Sequence, residues 1–334
     1  MSNAPLKLFY AEPEFDRWFP FDRYPRRAIR RLVRGAPQIG GVQRWFVNLC
    51  LGLDELGVAY DVNDYDFFRK RRDILAFVIG KSHVIDRLPA GVPIVYGPGV
   101  DSHPSANAFW TTSSVVHLLI SCDWFARMYE RDLPRPMPIT VWPAGIEADV
   151  WKPAAQPLHD RKIIVYDKVR WERELYESAL IEPVIRSIEV AGYEPVVLRY
   201  GHYREEEYRK LLQQATAMVF LCEHETQGFA YLQALSSGVP ILAWDRQGPW
   251  KDPSYYPRVF FAPVTSVPYF DGRCGRTFEG IQSFWEVLPG FLKEVEKGTF
   301  NPREFITQTL DLKGCASRFA DIARQIAETR ERGV

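Results

Sequence analysis

The chain has 334 residues, 46% hydrophobic and 14% aromatic, with 42 basic and 42 acidic side chains that cancel to a formal charge of zero. That length suits two domains better than one core, and the hydrophobic content with the neutral balance excludes a disordered chain or a strongly nucleic-acid-binding one. No apolar stretch reaches the roughly 18 residues of a membrane span, the N-terminus lacks a signal-peptide pattern, and the five scattered cysteines lack zinc spacing, so reduced thiols in a cytoplasmic protein are expected.

In chain order, residues 6–13 read as a first buried strand. Residues 17–35 hold seven arginines and one aspartate, interleaved with Trp18, Phe19, Phe21 and Tyr24. Such a stretch suits either an anionic membrane surface or a solvated basic face. The segment 35–57 opens on Gly40 and Gly41, then continues at helical spacing through Val42, Trp45, Phe46, Leu49, Leu53 and Leu56, with Gly57 as the stop. Short apolar runs at 58–62, 74–80, 92–99, 115–121 and 138–146 read as strands, and a helix follows Ser121. Residues 152–157 read as a linker. The alternation then restarts: strand 162–167, helix 172–191, strand 194–200, helix 204–214, strand 217–222, a helix after Gly228, strand 239–245. Helical segments 281–297 and 303–331 close the chain. Strands alternating with helices predict two α/β, Rossmann-like doubly wound domains facing across a cleft. The divisions expected are 1–150, 151–310, and a terminal helix, 311–334, packed back on the first domain.

Chemistry concentrates at 222–240, CEHETQGFAYLQALSSGVP. In open parallel sheets, ligands bind beyond the carboxyl ends of strands, where loops enter helices. A helix N-terminus offers free N–H groups to an anion, and Gly228 allows close backbone approach. Glu225 and Gln233, eight residues apart, would face one elongated ligand. The alternative is local capping by Thr226, with Glu223 and Glu225 favouring the helix dipole.

This stretch, with Glu225, Gln233 and then Ala-Leu-Ser-Ser-Gly-Val-Pro, resembles the signature of retaining GT-B-fold glycosyltransferases of family 4. PAGIEADVWKP (143–153) resembles the interdomain segment of that family. IGGVQRWFVNLCLGLDELG resembles its first glycine-rich loop and helix, and VVHLLISCDWFARMY the strand and helix closing its N-terminal domain.

The resemblance implies sugar transfer from a nucleotide-diphosphate sugar to a hydroxyl of a glycan or lipid-linked glycan, with retention of configuration. No metal or other cofactor is expected. Glu225 would meet the donor sugar. Gln233 stands where the family has a glutamate for the ribose; it keeps an acceptor oxygen but loses charge. Lys168 and Arg173 repeat the spacing of the family's two diphosphate-binding cations with the bases exchanged, and Arg170 lies between them. Backbone amides near Gln227, Gly228 and Phe229 would join the donor site, with Gly40 and Gly41 from the first domain. Tyr200 and Gly201, in the loop with His202 and Tyr203, would lie near the base. Asp101 and His103 are candidate acceptor-side groups, and closure of the two domains would exclude water.

Other readings stay open. Gln233 also fits a non-catalytic homologue that binds a glycan or nucleotide sugar as a scaffold. Asp64-x-Asp66 has the spacing of a metal-binding pair, but lacks the surrounding pattern of a metal-dependent transferase. His117, inside an apolar run, reads as a satisfied core histidine. Neither a Walker A loop nor Gly-x-Gly-x-x-Gly is present, which disfavours an ATPase or a dehydrogenase, and no nucleic-acid motif appears.

Overall fold

The computed structural model describes residues 4–13, 40–99, 102–106, 109–111, 114–155 and 161–332. The basic stretch 17–35 and Asp101 lie outside the described residues. The first of two parallel sheets contains β1 (Leu6–Phe9), β2 (Tyr60–Val62), β3 (Ala76–Val78), β4 (Ile94–Tyr96), β5 (Val115–Ile120) and β6 (Ile139–Val141), in the order β2-β1-β3-β4-β5-β6. The second contains β7 (Lys162–Lys168), β8 (Glu194–Arg199), β9 (Ala215–Cys222), β10 (Ile241–Trp244) and β11 (Gly275–Phe278), in the order β11-β10-β9-β7-β8. In each sheet the first strand lies between the second and the third. The chain therefore reverses its winding beside β1 and beside β7, and these are the points where a parallel sheet opens a crevice.

The central strands, such as β3, β4, β9 and β10, are buried on both faces, which explains their continuous apolar runs. In β7, Ile164 and Tyr166 join one core with Tyr208, Phe220, Tyr231 and Phe305. Ile163 and Val165 join the opposite core with Ile188, Val219, Phe284 and Phe291. Alternation along a strand thus feeds two helical layers.

Helix α1 (Gly41–Leu56) follows β1 and ends at Gly57, whose φ of 66° is the left-handed stop foreseen by the sequence. Two short helices follow in the first unit, α2 (Tyr65–Lys70) and α3 (Asp123–Asp132). The segment expected as one helix over 172–191 comprises α4 (Arg173–Tyr176), a π-helical turn at Glu177–Ile181, and α5 (Glu182–Val190). Pro183 supplies a physical reason, because it lacks an N–H and crowds the carbonyl four residues back. After α6 (Glu205–Leu212), helix α7 is short, Phe229–Ser236. Glu225 is therefore in the preceding loop, and Gln233 is on the helix.

Strand β11 and the long connection 245–274 before it had no counterpart in the sequence reading. Helix α8 (Ile281–Glu296) matches its expected segment. The final expected helix is two, α9 (Pro302–Thr309) and α10 (Leu312–Arg332). The break lies at Asp311, whose carboxylate accepts the Gly314 N–H at 2.8 Å and whose backbone bridges Ile146. An aspartate accepting from the N–H three residues on starts a new helix. Helix α10 lies on the first sheet's layer: Phe319, Ile322, Ala323 and Ile326 share a core with Trp45, Leu49, Leu53 and Trp142. At about 1.5–3 kcal/mol for each large apolar side chain, this burial is ample to hold the helix there.

The segment 143–147 joins the layers. Asn48 donates to the Gly145 carbonyl at 2.7 Å, and the Ile146 N–H donates to the Leu310 carbonyl at 2.7 Å. A Cβ on Gly145 would lie 2.6 Å from the Leu312 Cα, so the backbones can approach this closely only at glycine.

Candidate active site

Cα register pairs Lys168, the last residue of β7, with Cys222, the last of β9. The two loops that follow, 169–172 and 223–228, therefore emerge side by side at the crevice. The Lys168 ammonium pairs with the Glu225 carboxylate, and their side chains are only 13% and 12% exposed. The same ammonium lies 4.5 Å from the Tyr200 ring centroid, a cation–π contact. Burial alone would lower the Lys168 pKa; Glu225, helped by Cys222 and Tyr200, more than offsets this and holds it above its ordinary value.

Glu223 fixes the neighbouring loop. One carboxylate oxygen accepts the Arg170 N–H at 2.7 Å and the Trp171 N–H at 2.8 Å; the other lies 3.7 Å from the Arg170 guanidinium. Arg170 thus stands with Lys168. Arg173 is placed differently. Its guanidinium bonds both Asp167 oxygens at 2.6 Å and pairs with Glu177 at 2.7 Å. Asp167 precedes Lys168 on β7 and alternates to the opposite face of the sheet, and this buried carboxylate holds Arg173 there.

Helix α7 starts at Gly228, whose φ is 78°, and has no side-chain cap. A Cβ here would lie 2.3 Å from the Tyr231 ring. The first free intrahelical N–H groups belong to Phe229, Ala230 and Tyr231. Helix α1 also starts without a side-chain cap, at Gly40, which is exposed. A Cβ on Gly41 would lie 3.9 Å from the Phe229 ring, and Trp45 meets that ring edge-on at 6.2 Å. Two helix N-termini, one from each sheet, therefore converge, and their dipoles favour an anion between them.

The Gln227 side chain is a clamp between the two units. Its amide donates to the Ala144 carbonyl at 2.8 Å and accepts the Ala144 N–H at 3.0 Å. Gln233 is buried on α7, and Gly201 turns the loop after β8 with φ of 80°. His103 is not brought to Glu225. Its ring nitrogens bond Asp132 and Ser105, both at 2.8 Å, and Trp250 stands between it and His224. His117 bonds Thr140 at 2.8 Å within the first sheet, and burial lowers its pKa. Asp64 caps α2 and pairs with Lys7 at 3.2 Å, while Asp66 pairs with Arg69 at 3.2 Å. Among the described residues, no cluster of three or more histidine, cysteine or acidic side chains could hold a metal ion.

The sequence reading missed His224 and its surroundings. The Trp250 indole donates to His224 Nε2 at 3.2 Å. Because an indole can only donate, this imidazole is neutral with its proton on Nδ1. Burial, then Arg170, Lys168 and Arg246, push its pKa well below the ordinary 6.5. Trp171 and Trp124 lie 5.1 and 5.6 Å away by ring centroids. Trp124 belongs to α3 and donates to the Glu225 carbonyl at 2.9 Å. Trp250 and Phe261, from the 245–274 connection, enter the first unit's core beside Phe125 and Tyr129. An aromatic seam thus joins the two units. Its only sequence signal was the tryptophan count, which cannot distinguish a seam from an ordinary core.

The sequence matches no protein-family model and no curated protein. Solved structures do resemble the fold. HepE of Anabaena in complex with UDP aligns with a TM-score of 0.54 at 8% identity, over 87% of this chain and 98% of that one. The GtfA/B complex aligns with a TM-score of 0.53 at 10% identity, over 86% of this chain and 60% of that one. TarM aligns with a TM-score of 0.51 at 11% identity, over 82% of this chain and 58% of that one. The chain thus spans about three-fifths of the GtfA/B and TarM chains. With two parallel-sheet α/β domains, of six and five strands among the described residues, and helices between the strands, the chain has the GT-B fold.

Proposed function

We propose that this protein is a retaining glycosyltransferase that moves a sugar from a nucleotide-diphosphate sugar to a hydroxyl of a glycan or lipid-linked glycan. The observation that carries this reading is the Lys168–Glu225 pair at the β7/β9 crevice, beside the uncapped N-terminus of α7. Lys168 and Arg170 face the diphosphate, and the α7 amides of Phe229 and Ala230 add donors to its oxygens. These two cations supply the charge that a metal provides in other transferases, so none is required. Glu225 accepts from donor-sugar hydroxyls. Gln233 bonds the ribose, and Tyr200 and Gly201 border the base. Gly40 and Gly41 bring the α1 N-terminus towards the phosphate. Arg173 acts indirectly, by holding Asp167, whose carboxylate accepts the Val169 N–H at 3.2 Å and so fixes the loop after Lys168.

In the reaction, the bond between the sugar C1 and the phosphate oxygen breaks, and its electron pair stays on that oxygen. Lys168 and Arg170 stabilise the developing charge. The acceptor oxygen forms its bond to C1 on the face the phosphate leaves, and its proton passes to the phosphate oxygen. An enzyme nucleophile is unnecessary. This suits a crevice where Glu225 is paired with Lys168 and Glu223 is bonded to backbone amides.

UDP-glucose is the first donor to test, since the similar HepE was crystallised with it. Incubation with a glycan mixture should release UDP, and proton NMR of the product should show the donor's anomeric configuration. An inverted product would refute the retaining mechanism. Tight donor binding without turnover would favour the scaffold reading that Gln233 permits.

A further inference from the structure

A second concavity, of about 280 Å³, lies between α3 and the 245–274 connection. Its wall includes Trp124, Arg127, Asp245, Gln247, Thr265 and Thr277. Asp245 is 5% exposed and anchors the floor. It accepts the Thr265 hydroxyl at 2.7 Å, the Ser266 N–H at 3.1 Å and the Gln247 amide at 2.5 Å. Gln247 holds a left-handed φ of 51°, a costly conformation for a side chain of this kind. Its amide nitrogen is turned onto Asp245, which leaves the carbonyl oxygen as its accepting end. Arg127, on the first unit, is exposed at the cavity and supplies donors. Thr277 is exposed on β11 and adds a hydroxyl.

We propose that this cavity binds a neutral pyranose unit. One carboxylate and one guanidinium balance the cavity's charge, and the buried Asp245 repels a phosphate or carboxylate ligand. A polyol needs acceptors and donors spread around a ring, and the carboxylate, amide, hydroxyls and guanidinium provide them. Trp124 and Phe270 supply apolar wall for the C–H faces. The volume is at the lower end of small-molecule sites and suits one sugar ring rather than a nucleotide.

The cavity is also joined to the crevice. The Glu225 N–H donates to the Thr265 carbonyl at 3.0 Å, and Trp124 donates to the Glu225 carbonyl at 2.9 Å. Two wall residues therefore hold the backbone of Glu225. A sugar bound here bears on the position of that carboxylate, and any effect on nucleotide affinity is reciprocal.

Saturation-transfer NMR without nucleotide tests the site, using glucose, galactose, mannose, N-acetylglucosamine and trisaccharides of each. At least one probe should bind the full chain, and Thr277→Phe, which fills the mouth from an exposed strand position, should weaken that binding roughly tenfold or more. Arg127→Ala, a surface change that leaves the Asp245 network intact, should weaken it severalfold. Binding of trisaccharides alone would identify the ligand as a glycan chain end; binding of monosaccharides would identify a free sugar. No transfer to any probe, or equal transfer in wild type and both variants, would overturn the proposal. Lys168→Ala should retain the saccharide signal, so failure of the donor-site reading is read separately.

Discussion

Lys168, at the end of a strand, and Glu225, in a loop, are 57 residues apart, and the register of two strands brings them together. In the proposed reaction, a diphosphate would replace the carboxylate beside Lys168 and sugar hydroxyls the ammonium beside Glu225, which would leave neither buried charge stranded. Both residues were legible from their positions after apolar strands. Arg173 was not, because spacing alone cannot show that Asp167 and Glu177 compete for its guanidinium. His224 was invisible for a similar reason: its neutral state depends on Trp250, a residue 26 positions away. It carries a clear pH signature. Its contribution to stability is fully present above the unfolded value of 6.5 and is lost as pH falls towards the lower folded value, because the unfolded chain then binds a proton that the folded chain does not. Between about pH 7 and pH 5, wild type should lose up to about 1.4 kcal/mol per pH unit more than His224→Phe. Equal slopes in urea unfolding at each pH would refute this account.

Helix α7 is where local geometry governs the site. Gly228 takes a left-handed φ, and the Tyr231 ring fills the space a Cβ would need. Gly228→Ala should destabilise the fold by at least about 1 kcal/mol and shift the free amides of α7, with nucleotide affinity falling more than stability. Thermal melts and calorimetry on the same variant separate the two effects; unchanged affinity would remove α7 from the site. The sequence marked this glycine and placed the helix after it, as the structure does, but gave no sign that the Tyr231 ring fills the space of a Cβ there. A similar limit applies at Asp311. The pattern over 303–331 is continuous, and the break arises from tertiary pairing with Ile146 together with the Asp311 cap.

At the scale of the whole molecule, two sheets wind in the same manner and bring α1 and α7 end to end. That architecture was legible because strand and helix periods alternate twice along the chain, with a polar linker between. The aromatic seam was not, since Trp124, Trp250 and Phe261 meet only once the 245–274 connection has crossed to the first unit. The seam holds α3 against the second unit, while the α1–α7 junction leaves two N-termini directed at one place. The central claim is that this place takes a nucleoside diphosphate. Titration calorimetry of UDP, GDP and ADP, each with and without EDTA, against wild type and Lys168→Ala is its most direct test. The account predicts selective binding of one nucleotide, insensitive to EDTA and weakened at least about tenfold in the variant. Binding of none of the three, or equal binding in both proteins, would contradict it.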